Sequence, residues 1–111
     1  MRNGAKGIEW LGDSRDRLRR FPQAARRESG YQLSLIQAGH SASDRKPIPL
    51  VGTGVIEIRV HAEGEFRVFY VAKFEDAVYV LHVFAKKTRK APSLDVEPGK
   101  KRYRELLERR K

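Results

Sequence analysis

Two arginines and two adjacent lysines, all on or at the end of strand-like stretches, are the residues of this sequence best suited to chemistry. Arg59 and Arg67 occupy polar positions in alternating apolar runs, and Lys86-Lys87 opens a cationic run that continues through Thr88 to Arg89 and Lys90. A guanidinium stays charged and donates paired hydrogen bonds to a phosphate, so Arg59 and Arg67 are suited to clamping a phosphodiester and stabilising charge on its free oxygens. A lysine crowded by other cations can titrate toward neutrality, which makes Lys86 or Lys87 a candidate proton donor. Arg89 and Lys90 are placed to bind the nucleic-acid backbone.

Histidine offers proton transfer near neutral pH. His82 follows Val80 and precedes Phe84 on a period-two face that leads to Lys86, and it reads either as the acid-base residue or as a hydrogen-bonded core residue. His61 shares a strand face with Arg59 and is the competing base or an exposed hairpin residue, and His40 reads as a loop residue. Glu57 could act as a base or hold Arg59 by an ion pair, at the cost of weaker attraction for phosphate. Phe84 could stack on an unpaired base or fill the core.

These side chains need a rigid carrier, and hydrophobic periodicity provides one. Ile56, Ile58 and Val60 alternate with Glu57, Arg59 and His61, which predicts a strand with one buried face. Residues 62–65 read as a hairpin turn, 66–71 as the next strand, and 78–84 as a nearly continuous apolar strand in the sheet interior, completing an antiparallel meander. Upstream, residues 7–12 predict a brief edge strand. Asp13 or Ser14 then caps a first helix through Arg20, with Leu11, Leu18 and Phe21 on one stripe. Pro22 is expected at N1 of a second helix reaching Ala38, with Ala24, Ala25, Tyr31, Leu35 and Ile36 inward and Gly39 as its stop. Residues 40–54 have loop composition. Pro98 is expected to open a terminal helix over residues 98–110, weakly docked through Tyr103, Leu106 and Leu107, with Glu105 paired to Arg109.

The chain has 111 residues, enough for one domain over 1–111 with residues 1–7 as a flexible lead. Lys and Arg outnumber Asp and Glu by 24 to 14, a formal charge of +10 that points to a polyanion or an acidic protein as partner. Six of these cations, Arg15, Arg17, Arg19, Arg20, Arg26 and Arg27, gather on the first helix and the start of the second, either a solvated face or a surface for RNA or an acidic partner. Cysteine is absent, which removes disulfides, thiolate metal sites and a cysteine nucleophile. Three dispersed histidines do not make zinc spacing, and Gly52-Thr53-Gly54 lacks the Gly-Lys-Ser/Thr of a phosphate loop. No metal or other cofactor is expected. With no apolar leader and no membrane-length stretch, the expected location is the cytoplasm.

The order strand, two helices, three antiparallel strands and terminal helix resembles the RelE/ParE toxin superfamily, an α+β fold. The resemblance rests on Glu57-Ile58-Arg59, Phe66-Arg67-Val68-Phe69-Tyr70 and the stretch from Val80 to Thr88. Within it, Ile8-Glu9-Trp10-Leu11, the arginine-rich first helix and Phe84-Ala85-Lys86-Lys87-Thr88 are similar to the HigB-type, phage-derived Gp49-like branch, over about residues 8 to 108. The resemblance implies a type II toxin that cuts mRNA on the ribosome and is silenced by a helix-turn-helix antitoxin. It implies that basic residues at Lys86 and Lys87 bind substrate and protonate the leaving group. It differs from RelE where Glu57-x-Arg59 replaces a Lys-x-Lys pair. ParE members share the scaffold yet target gyrase, so the fold alone does not decide the activity.

Overall fold

The computed structural model describes residues 5–87 and 93–111. Its elements run β1 (Gly7–Trp10), α1 (Ser14–Arg19), α2 (Gln23–Gln37), β2 (Arg45–Pro47), β3 (Val55–His61), β4 (Glu65–Val71), β5 (Ala77–Ala85) and α3 (Ser93–Arg109). The strands form one five-stranded sheet in the order β1-β5-β4-β3-β2. The meander β3–β4–β5 is antiparallel, as its alternation predicts. The whole sheet is mixed, because β1 joins the far side of β5 in parallel.

Sheet alternation sorts side chains between two cores. On one face Ile58, Val60, Val68, Val78 and Val80 pack under the α1–α2 hairpin with Leu18, Phe21, Leu33 and Ile36. On the other, Val55, Phe69, Val71, Tyr79, Leu81 and Phe84 pack under α3 with Tyr103 and Leu106. The α+β layering follows from burying both faces of a strongly apolar β5.

Local chemistry explains the boundaries and several departures from expectation. Pro22 sits at the N-cap of α2 and not at N1; its ψ of 152° is extended, and its carbonyl accepts the Arg26 amide. At the other end Gly39, with φ +89°, lets its own amide and that of His40 bond back to Ile36 and Leu35, closing a Schellman motif. Tyr31, expected inward, is 56% exposed, while Ser29 and Gln32 turn in beside Ala25, Leu33 and Ile36. Gln32 is accommodated by hydrogen bonds with Glu28 and Ser43. Lys6, placed in the flexible lead by the sequence, donates from Nζ to the carbonyls of Ala72 and Phe74.

The stretch read as loop contains β2, whose register pairs Arg45, Lys46 and Pro47 with Ile58, Glu57 and Ile56 of β3. Three residues ending in proline carry no periodicity, and an edge strand needs only one hydrogen-bonding side. Helix α3 starts at Ser93, ahead of Pro98. Proline there, in the second turn, removes the amide that would bond the Leu94 carbonyl, a local cost that the helix carries. Arg109 pairs with Glu9 of β1 at 3.8 Å, and no Glu105–Arg109 ion pair is present. Docking of α3 is extensive: Tyr103 and Leu106 are buried, the Tyr103 hydroxyl donates to the Thr53 carbonyl at 2.7 Å, and Arg110 pairs with Asp76. Gly52 permits this approach, since a Cβ there would collide with the Tyr103 ring. Among the described residues no helix is long and apolar enough to cross a membrane.

Candidate active site

Antiparallel register sets the expected site residues in rows on the α3 side of the sheet. Arg59 stands directly opposite Arg67, and Arg67 opposite Phe84; in the next row Lys46 faces Glu57, Glu57 faces Phe69, and Phe69 faces His82. Past the start of α3 this face opens into a cleft of about 370 Å³. Glu57, Arg59, Phe69, Phe84 and Lys86 of the sheet contribute to it, with Lys46 to Leu50 on one side and Val96 of α3 on the other.

The arginines are engaged with carboxylates. Arg59 Nε donates to Glu57 Oε1 at 3.3 Å, and its Nη1 is 3.9 Å from Asp44. Arg67, with a side chain only 7% exposed, donates from Nη1 to Glu65 at 3.1 Å and to the Phe66 carbonyl at 2.9 Å, with Nε 3.9 Å from Glu57. Glu57, itself 13% exposed, therefore lies between two guanidinium groups. Arg67 is removed from solvent and supports Glu57 from behind, while Arg59 lines the cleft. Lys46 and Lys86 line the same cleft and, among the described residues, have no carboxylate partner. Lys87 is exposed beyond the end of β5 and is not part of the cleft. Arg89 and Lys90 lie outside the described residues.

The expectation that Val80, His82, Phe84 and Lys86 share one face is corrected by a β-bulge. Phe69 pairs with His82 while Tyr70 pairs with Val80, leaving Leu81 as an extra residue that resets the alternation. Val80 accordingly packs under the α1–α2 hairpin, whereas Leu81 and Phe84 pack under α3. His82 is fully buried, its ring 5.5 Å from that of Phe84 in a stacked arrangement. Arg102 Nη1 donates to His82 Nδ1 at 3.1 Å; since guanidinium only donates, the ring proton is on Nε2, which donates to Asp95 at 2.8 Å. Desolvation lowers the His82 pKa below its ordinary value, against the opposing pull of Asp95. With both nitrogens occupied, His82 serves as a joint between β5 and α3 and has no ring atom open to the cleft. The Asp95–His82–Arg102 network, which continues from Arg102 to Asp13 at 2.7 Å, has no signature in the sequence, because its members are far apart along the chain.

His61 is exposed between Asp44, 2.7 Å from Nε2, and Glu65, 2.8 Å from Nδ1. Hydrogen bonding to Asp44 first, and to Glu65 next, raises its pKa. Glu65 is lowered in turn by His61 and by Arg67. Asp13, expected to cap α1, makes no side-chain cap bond and pairs with Arg17 and Arg102. Phe84 is core, its ring edge-on to Phe69 at 5.3 Å. Lys46 is the cleft residue missed in the sequence; its only signal is a basic pair before Pro47. Of the six arginines of α1 and α2 and their junction, only Arg17 pairs with a carboxylate among the described residues.

No curated protein and no solved structure gives a significant match to the chain. A family model does match, over residues 16–104, a span that holds most of the α1–α2 hairpin, the meander, the cleft and most of α3. On that match the chain belongs to the phage-derived Gp49-like protein family (DUF891), a family of RelE-like toxins.

Proposed function

We propose that this protein is the toxin of a type II toxin-antitoxin system, of the HigB type, and that it cuts mRNA bound to the ribosome. The observation that carries this reading is the convergence of a carboxylate, a guanidinium and two amines without a carboxylate partner among the described residues, Glu57, Arg59, Lys46 and Lys86, on one cleft of nucleotide scale. Glu57 accepts the proton of the ribose 2′-hydroxyl, and the 2′-oxygen attacks the adjacent phosphorus. Arg59 takes the negative charge on the non-bridging oxygens. Lys86 gives a proton to the 5′-oxygen as its bond to phosphorus breaks, leaving a 2′,3′-cyclic phosphate and a 5′-hydroxyl; water returns both residues to their starting protonation. Arg67 positions Glu57. The arginines of α1 and α2 are available for ribosomal RNA or for a helix-turn-helix antitoxin.

The deciding experiment is primer extension on ribosome-bound mRNA with wild type, Glu57→Gln, Arg59→Ala and Lys86→Ala. Cutting that survives in all three variants refutes the assignment. A second reading, a ParE-like gyrase inhibitor or an antitoxin-binding remnant without catalysis, draws on the pairing of Arg59 and Arg67 with carboxylates and on the closed His82 ring. Loss of DNA supercoiling with intact mRNA would select the gyrase inhibitor, and supercoiling and mRNA both left intact would select the remnant.

A further inference from the structure

The cleft has two chemically different halves. Its cations without anionic partners among the described residues, Lys46 on β2 and Lys86 just past the end of β5, come from strands on opposite sides of β3, which carries the Glu57–Arg59 pair. Its remainder is apolar, lined by Phe69 and Phe84 of the sheet, by the 47–50 segment and by Val96 of α3. Leu50 is 64% exposed and borders this apolar half, so an apolar ligand group seated there would gain by covering it. Ligand sites commonly combine an apolar slot with a few placed charges, in volumes from about 300 Å³ upward.

We infer that residues 46–50 form a specificity wall, in which Lys46 binds a substrate phosphate and Leu50, which lines the same cleft as Val96, holds one unstacked base. This rests on the nuclease reading and adds a substrate-binding element to it. The occupant must be single-stranded at that position, since a paired base cannot leave its stack to enter the slot without losing pairing and stacking energy. Base contact by apolar side chains tolerates any base face, so discrimination comes from the size of the apolar half of the cleft.

The test is fluorescence anisotropy of the whole protein with a labelled single-stranded 2′-O-methyl oligoribonucleotide, which cannot be cut because its 2′-oxygen is blocked. Lys46→Gln should weaken binding and reduce the slope of log affinity against log salt by about 1, as loss of one phosphate contact does. Leu50→Ser, at an exposed position, should abolish the preference for the oligonucleotide over one with abasic sites. Unchanged affinity and slope in Lys46→Gln, equal binding of abasic and intact strands by wild type, equal competition by duplex RNA, or no binding by wild type overturns the inference. Ribosome-bound mRNA cleavage measured in parallel separates the two readings. Binding as expected without cleavage removes the nuclease and leaves the slot, whereas cleavage unaffected by Lys46→Gln with unchanged binding removes the slot and leaves the nuclease.

Discussion

Arg102 fixes His82 in one tautomer, and it does so by crossing Gly12: its Nη1 donates to His82 Nδ1 at 3.1 Å and to the Leu81 carbonyl at 3.0 Å. A Cβ at Gly12 would fall on the Arg102 guanidinium, and the Gly12 φ of +56° is itself unfavourable for a side chain. The β1–α1 turn, the β5 bulge and α3 thus meet at one buried point.

Gly12→Ala is expected to lower stability by about 2 to 3 kcal/mol, combining left-handed backbone strain with displacement of Arg102 from a buried acceptor. Urea denaturation should show a lower midpoint with an unchanged slope. Arg102→Ala should be destabilising alone, and the double variant should fall well short of the sum, because the second change removes what the first disrupts. Strict additivity would mean that Gly12 acts on something other than Arg102.

The two paired histidines should respond to pH in opposite directions. His82 has a folded pKa below its ordinary 6.5, so its contribution to stability is complete above that value and is lost as pH falls through the folded pKa. His61 has a folded pKa above 6.5, so its contribution is complete below that value and is lost as pH rises through the folded pKa. Half-exposed His61 carries the smaller effect, through solvent screening. Nuclear magnetic resonance titration of the two imidazole rings should place them on either side of 6.5, and His61→Asn should remove the loss on the alkaline side. Two rings titrating together would contradict the burial of one and the carboxylate pairing of the other.

Much of this was legible in the sequence, where periodicity was strong. The alternation of Ile56, Ile58 and Val60 with Glu57 and Arg59 predicts two unlike faces on one strand; Ile58 and Val60 pack under the α1–α2 hairpin, and Glu57 and Arg59 line the cleft on the other face. The limits lie where structure depends on partners distant in sequence. Nothing in the apolar run of β5 marks Leu81 as a bulge, because its effect exists only against Phe69 and Tyr70 of β4. Arg67 alternates like a surface residue, yet Phe84 on one side and the carboxylates of Glu57 and Glu65 enclose it. Lys46 enters the cleft only because β2 pairs with β3.

The two adjacent lysines should separate in function. Lys86 borders the cleft and its amide bonds the Glu65 carbonyl at 2.8 Å, continuing the sheet, whereas Lys87 is exposed outside the cleft. Lys86→Met is expected to reduce cleavage of ribosome-bound mRNA by about 10² or more, the scale of a lost general acid. Lys87→Met should change it only a few-fold, with the loss recovered at lower salt as for a distant backbone contact. Equal losses in single-turnover assays would assign both lysines to electrostatic attraction alone.

Glu57 offers the sharpest division between catalysis and architecture. Its carboxylate meets Arg59 at 3.3 Å and approaches Arg67 at 3.9 Å, so one side chain could act as the base or merely order two cations. Glu57→Gln keeps the shape and an oxygen that accepts from Arg59, while removing the negative charge and the ability to take a proton. Arg67 retains Glu65 and the Phe66 carbonyl, so the fold should lose only about 1 kcal/mol. If Glu57 is the base, the rate on bound substrate should fall by about 10² to 10⁴ while binding of RNA tightens, because an anion has left a phosphate site. If Glu57 only holds Arg59, binding still tightens but the rate stays nearly constant. Measuring both quantities on the same variant separates the roles: tightened binding shows that the site has kept its shape, and a fall in rate beside it then comes from loss of the base.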